Sequence, residues 1–231
     1  MHAKDVRTIV LDVNSPGGAV AGSTEFAQEI LRARATKPIV AVAQYLMGSA
    51  AYHLSAVATE VVAAPSALVG GIGVYTIHDD LSKSLEKLGV TRTFITAGEG
   101  KVDGNSSQPL TETARARLAA AVDEAYDQFV TSVVRGRGAG MTPARVRGGW
   151  KAHVYTASEA LELGMIDRID TLDQTLARLL SASPDKTDQQ LADTVRGVDT
   201  SQEPIGATDQ DHASAGLATN ALLQQLYTLE L

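Results

Sequence analysis

The run Val6 to Val13 (Val-Arg-Thr-Ile-Val-Leu-Asp-Val) is rich in β-branched residues. It stops at Asn14-Ser15-Pro16-Gly17-Gly18 and is followed by a helix-like stretch from Thr24 to Ala35. Strand, glycine turn and helix in that order predict a βα unit, with Phe26, Ile30 and Leu31 on the inner face of the helix. The pattern then repeats. Pro38 to Ala43 carries a strand signal, Leu46-Met47-Gly48-Ser49 a turn, and Ala50 to Thr59 a helix of small residues suited to close packing on a sheet. Glu60 to Ala64 is a further short strand and Leu68 to Ile77 a glycine-rich extended stretch. Leu81 to Leu88 reads as a helix closed by Gly89, and Arg92 to Thr96 is again strand-like. Strands alternating with helices over short loops predict an α/β fold with largely parallel strands and right-handed crossovers.

Leu110 to Val134 is the longest helical pattern, with Leu118, Val122, Ala125, Phe129 and Val133 at three- and four-residue spacing. Thr111 starts it and Gly136 is expected to end it. A short helix after Thr142-Pro143, a strand at Val154-Tyr155, a helix over Ala157 to Leu163 capped by Gly164, and a helix over Leu172 to Leu180 complete an ordered body over residues 1–180. Residues 181–215 are rich in Asp, Gln, Thr, Ser, Ala and Gly and read as an acidic flexible linker. Residues 216–231 carry an apolar stripe of Leu222, Leu223, Leu226 and Leu229 on a short helix that is expected to dock on the body or on another chain.

Charge narrows the function classes. Of the formal net charge of −7 over 231 residues, the segment Ser181–Leu231 alone carries eight acidic and two basic residues, so the body is electrically balanced. Neither part has the basic footprint of a nucleic-acid binder. The chain holds no cysteine, which removes disulfides, thiolate metal sites and a cysteine nucleophile. The polar N-terminus precedes no apolar core of signal-peptide length, and the apolar runs fall short of the ~20 residues of a membrane span. The expected location is cytoplasmic, with no membrane partner.

Several motifs fail on inspection. Gly98-Glu99-Gly100-Lys101 has the ending of a phosphate loop, but Val102 stands where Ser or Thr is needed. The five histidines, His2, His53, His78, His153 and His212, include no pair at metal-ligand spacing, so neither a metal nor a cofactor is expected. Two polar side chains remain. Ser49 sits between Gly48 and Ala50 at a strand-to-helix turn that exposes its hydroxyl, although a serine there is more often an N-cap. Lys101 lies in a polar, glycine-rich loop, where a lysine is ordinarily a solvated surface charge. Gly17 and Gly18 offer backbone N–H groups unobstructed by side chains, the parts an oxyanion hole needs, or form an ordinary turn.

At these residues the sequence resembles the serine peptidase family of signal peptide peptidase A, and within it the prohead (head-maturation) proteases of tailed phages. The resemblance runs from about Val6 to Leu176. It is carried by Asp12-Val13-Asn14-Ser15-Pro16-Gly17-Gly18, by Gly48-Ser49-Ala50-Ala51-Tyr52 and by Val69-Gly70-Gly71-Ile72-Gly73-Val74. Further on it includes the segments Ala97 to Asn105, Arg135-Gly136-Arg137-Gly138 and Ala160 to Asp167. It implies a ClpP/crotonase-like spiral of βα units that commonly assembles into rings, with the elements that normally precede the Val6 strand missing. It implies Ser49 as nucleophile, Lys101 as general base, and backbone N–H groups of Gly17, Gly18 and Ala50 as the oxyanion hole. Gly70, Gly71, Ile72 and Gly73 are then expected to bind substrate. Gly71 stands where the family more often has serine.

The function so implied is a Ser-Lys endopeptidase acting on polypeptides, in the phage reading on scaffold, portal or capsid protein, in the host cytoplasm and inside the procapsid. A homo-oligomer is implied by the ring assembly. The alternatives are a cytoplasmic protease of the signal peptide peptidase type, a non-catalytic scaffold that keeps the fold, and an acyl-CoA enzyme, which would need no serine nucleophile.

Overall fold

The structure is a computed structural model that describes residues 6–182. The linker beyond its first two residues, and the apolar segment 216–231, lie outside the described residues. β1 (Ile9–Ser15) leads through the Pro16–Gly18 turn to α1 (Ser23–Ala33), β2 (Ile39–Gly48), α2 (Ala50–Ala56), β3 (Glu60–Ala63) and β4 (Leu68–Gly70). A long excursion containing α3 (Ser82–Lys87) precedes the main helix α4 (Glu112–Arg137). A π-helical turn (Arg145–Trp150), β5 (Val154–Thr156), α5 (Ala157–Leu163), β6 (Arg168–Ile169) and α6 (Leu172–Ser181) follow.

β2 organises the sheet. β1 runs parallel along one edge of it, from Ile9 opposite Ile39 to Ser15 opposite Met47. The other edge is shared in turn by β3, opposite Val40 to Ala43, and by β4, opposite Leu46 to Gly48. β6 extends β3 in parallel, and β5 closes the β4 side as the one antiparallel pairing among the described strands. The register between β1 and β2 slips between Val13 and Ser15. Gln44 bridges this irregularity by donating to both carboxylate oxygens of Asp12 at 2.8 Å. Because β2 has neighbours on both edges and cover on both faces, its sequence is apolar on successive residues rather than alternating.

The pleat sends Ile39, Ala41, Ala43 and Met47 into a large core under α1, α2, α4 and α5, and Val40 and Val42 into a smaller one beneath Leu172 and Leu179 of α6. Trp150 and Tyr52 are fully buried in the large core and meet edge to face. Each polar tip finds a carbonyl: Trp150 Nε1 donates to Leu163 O at 3.1 Å, and Tyr52 OH to Met165 O at 2.8 Å. Small residues do the close packing. A β-carbon on Gly136 would lie 2.2 Å from Ala56 O, so α4 crosses α2 in near backbone contact.

That contact corrects one expectation. Gly136 does not end α4; the helix continues to Arg137 and closes on Gly138 at φ 75°. In α1 the buried face is Ser23, Ala27 and Ile30, while Phe26 is 55% exposed, so small residues rather than the phenyl ring face the core. The β-branched run Arg92–Thr96 forms no strand among the described residues, because no neighbour offers it an edge. β6 escaped the sequence reading because two residues carry no periodicity. The segment after Pro143 forms a π-helical turn, entered through the hydrogen bond from Arg145 N to Thr142 Oγ1.

Candidate active site

β2 runs to Gly48, five residues past the expected strand end at Ala43 and through most of the expected turn, and the chain enters α2 through a single residue, Ser49. Its backbone sits at φ 50°, ψ −120°, a conformation costly for a residue with a β-carbon. The strain is held from two sides: Ser49 N donates to Gly70 O at 2.7 Å, and His53 N donates to Ser49 O at 2.9 Å. The Ser49 side chain is buried, and its Oγ has no hydrogen-bond partner. It therefore does not cap α2, the commoner role for a serine at that position.

Three glycines make room for this residue. A β-carbon on Gly17, at φ 118°, would lie 2.6 Å from Ser49 Cβ and 3.0 Å from Ala50 N. One on Gly71, at φ 72°, would lie 3.2 Å from Ser49 N, so the serine more usual in the family would crowd the backbone here. Gly48 lies against the other side of the turn, where a β-carbon would be 2.8 Å from Pro16 O. Pro16-Gly17, Gly48-Ser49-Ala50 and Gly70-Gly71 thus converge on one point from three parallel strands, β1, β2 and β4. The Pro16–Gly18 turn is shaped by Ser15, whose Oγ accepts from Gly17 N at 3.2 Å and lies 3.4 Å from Gly17 O.

The expected site residues divide accordingly. Gly17, Ala50, Gly70 and Gly71 surround Ser49. Ile72 is fully buried in the large core, so its side chain cannot line a cleft. Gly71 N donates to His153 O at 2.8 Å and Gly73 N to Gly71 O at 2.9 Å, which engages two of the backbone donors of this stretch. Lys101 occupies a turn, residues 100–104, and is half-buried. Since Ser49 Oγ has no partner, the two side chains are not hydrogen-bonded to each other. The Lys101 turn is built by its own neighbours: Asn105 Nδ2 donates to Val102 O at 2.7 Å and Asp103 N to Gly100 O at 3.1 Å.

The sequence reading missed the carbonyl of Gly70 as the group that pins Ser49, and missed Ser15. The Ser15-Pro16-Gly17 order was a signal for the latter, because a serine two residues before a glycine can hold its amide in a local turn.

One buried titratable group lies close to Ser49. His53, one turn along α2, is 1% exposed and stacks on Phe129 with ring centroids 4.6 Å apart, and neither ring nitrogen has a partner. Burial pushes its pKa down to about 4, so it is neutral at physiological pH. At the C-terminal end of α4, Arg137 forms a two-pronged ion pair with Asp167 at 2.9 and 2.5 Å, and Asp167 also accepts from Val61 N at 2.8 Å. Burial raises the Asp167 carboxyl, but these hydrogen bonds outweigh it and leave the pKa below the usual carboxylate value. Among the described residues, no group of three or more His, Cys, Asp or Glu could hold a metal ion, and no helix is long and apolar enough to cross a membrane.

Comparison with known sequences gives the class to which this chain belongs. The sequence model of Peptidase family S49 matches residues 32–183, and the chain belongs to this family. It is 31% identical over 220 residues to capsid assembly protease C of Escherichia phage lambda, covering 90% of this chain and 49% of that protein. It is 30% identical over 174 residues to protease 4 of Salmonella typhi, covering 75% of this chain and 28% of that protein. The chain therefore spans half or less of the length of these two relatives. Among solved structures, a membrane-bound stomatin-specific protease in complex with a substrate peptide aligns over 75% of this chain and 65% of its own, at 15% identity and a TM-score of 0.42. The layered, largely parallel sheet is the α/β fold that the sequence led us to expect.

Proposed function

We propose that the protein is a serine endopeptidase in which Ser49 is the nucleophile and Lys101 the general base. The observation that carries this reading is Ser49 itself, a non-glycine residue at φ 50° with a buried hydroxyl engaged by nothing else. Strain of this kind persists only where the surroundings over-determine it, and it clusters at active sites. In the proposed reaction Ser49 Oγ attacks the peptide carbonyl carbon while Lys101 Nζ takes its proton. The oxyanion so formed accepts hydrogen bonds from the N–H groups of Gly18 and Ala50, since the Gly17 amide already donates to Ser15. The tetrahedral species collapses, breaking the C–N bond, and Lys101 returns the proton to the departing amine. Water then attacks the acyl-enzyme, with the same lysine as base, and regenerates Ser49.

The lambda relative, by its name a capsid assembly protease, supports phage structural proteins as the substrates. Scaffold, portal or capsid chains cleaved during head assembly are the class we assign, in the host cytoplasm and the assembling particle. The test is labelling of the purified chain with a fluorophosphonate, in which Ser49 Oγ displaces fluoride and forms a P–O bond. Mass addition at Ser49, absent in Ser49→Ala and in Lys101→Arg, is the expected result, because a guanidinium does not give up its proton. Unchanged labelling in Lys101→Arg would remove lysine from the mechanism. No labelling of a folded, assembled wild-type chain would favour the non-catalytic scaffold.

A further inference from the structure

Ser49 and Lys151 are the two non-glycine residues at positive φ among the described residues. Lys151 stands at φ 54°, ψ −156°, a backbone that glycine adopts freely and that a side chain makes costly. The strain is imposed from both sides. Lys151 N donates to Val146 O at 3.1 Å and closes the π-helical turn. Trp150, just before it, is fully buried, with Nε1 on Leu163 O and its own carbonyl accepting from Tyr155 OH at 2.5 Å. Just after it the chain runs alongside the end of β4: His153 O accepts from Gly71 N at 2.8 Å, and a β-carbon on Gly73 would lie 2.9 Å from Ala152 Cβ. Gly71 in turn backs onto Ser49, since a β-carbon there would lie 3.2 Å from Ser49 N. Lys151 is therefore carried on the flank of the glycine-rich stretch expected to bind substrate, next to the residue that abuts Gly73.

We propose that Lys151 is a specificity-determining residue whose ammonium pairs with an aspartate or glutamate side chain of the substrate polypeptide. Gly73 lies two residues along from Gly71, so at ~3.3 Å per extended residue the acidic side chain falls within about three residues of the cleaved bond. The proposal deepens the reading of Ser49 as nucleophile and rests on it. Three observations favour it. Glycine would hold this backbone without strain, so a long side chain kept there is one that the site uses, and strained residues gather at active sites and ligand clamps. Residues 138–158 carry three basic side chains and no acidic one. Arg145 is spent on Leu163 O at 3.0 Å, and Arg147 on Asp127 and the face of Tyr126, whereas Lys151 is exposed and enters no ion pair among the described residues. Finally, the segments that converge on Ser49, residues 14–18, 48–50 and 70–74, hold no charged side chain. None of them competes for the ammonium, and the pairing selects among substrates by charge.

Digestion of a proteome-derived peptide library by the full chain, with the cleaved bonds mapped by mass spectrometry, tests the assignment. Preference is a ratio within one digest and so does not depend on the overall rate. The wild type should favour Asp and Glu over Asn and Gln by about fivefold at one position within three residues of the cut, the scale of one ion pair at an accessible site. Lys151→Glu should deplete acidic residues at that position and favour Lys and Arg. Lys151→Gly should show neither preference and, relieved of its backbone strain, should melt at or above the wild-type temperature. Lys87→Glu makes the same charge change at an exposed position of α3 and should keep the acidic preference. A wild type that cleaves with no acidic preference, a Lys151→Glu variant that retains one, or an equal loss in Lys87→Glu and Lys151→Glu overturns the assignment and leaves the peptidase reading intact. A wild type that neither cleaves the library nor takes up fluorophosphonate at Ser49 refutes the peptidase reading, and the subsite falls with it.

Discussion

Gly17 and Ser49 face each other across the ends of β1 and β2 so closely that a β-carbon on the glycine would sit 2.6 Å from the serine's own. Gly17 also holds φ 118°, where an L side chain is strained regardless of space. Gly17→Ala should therefore displace the Pro16–Gly18 turn from Ser49, the proposed nucleophile. Fluorophosphonate labelling is expected to fall by about 10²-fold or more, the scale of losing one oxyanion donor. Near-wild-type labelling would mean that the turn does not contribute to the chemistry.

His53 makes stability pH-dependent in a defined direction. Its folded pKa is about 4 against 6.5 for a free imidazole, so the unfolded chain binds the proton first. The contribution is fully present above pH 6.5, is lost progressively between 6.5 and 4, and amounts to about 3 kcal/mol at the lower end. His53→Leu should flatten this part of the profile, measured by urea unfolding as the difference between variant and wild type at each pH. An identical slope in both proteins would exclude the residue as the cause.

The α4–α2 crossing predicts a substitution with opposing local and tertiary effects. Gly136→Ala improves helix propensity by about 1 kcal/mol. Its new methyl group would meet Ala56 O at 2.2 Å and Val57 Cα at 2.7 Å, backbone atoms that cannot rotate away. The expected net effect is a loss of roughly 1–3 kcal/mol, seen as a lower urea midpoint. A gain in stability would show that the two helices separate without cost.

Asp167 joins α4 to β3 through Arg137 and Val61, and the guanidinium side chain it pairs with is only 7% exposed. Asp167→Ala leaves that cation and the Val61 N–H short of partners, at a cost of about 1–3 kcal/mol. The carboxyl's lowered pKa gives the matching sign: its contribution is present above the ordinary carboxylate value of 3.8 and is lost as pH falls below it. Calorimetry should find the wild-type advantage over Asp167→Ala shrinking below pH 4 and constant above it.

Local patterning by itself determined the order of the main elements. β1, β2, α4, α5 and α6 are long or sharply capped, and the Thr111, Gly89 and Gly164 signals lie where the structure uses them. The residues of the candidate centre were legible for the same reason, since a serine between a glycine and an alanine at a strand end, and a Pro-Gly-Gly turn after another, are short-range features. What only the tertiary structure decided were relations between distant segments. β2 runs on to Gly48 because β4 and Ser15 pair with its far end, Gly136 stays helical because Ala56 leaves no room for a side chain, and Ser49 takes φ 50° because Gly70 holds its amide from another strand. Arg92–Thr96 shows the converse: its β-branched residues favour a strand, but a strand exists only where a second edge completes its hydrogen bonds, and the described chain supplies none.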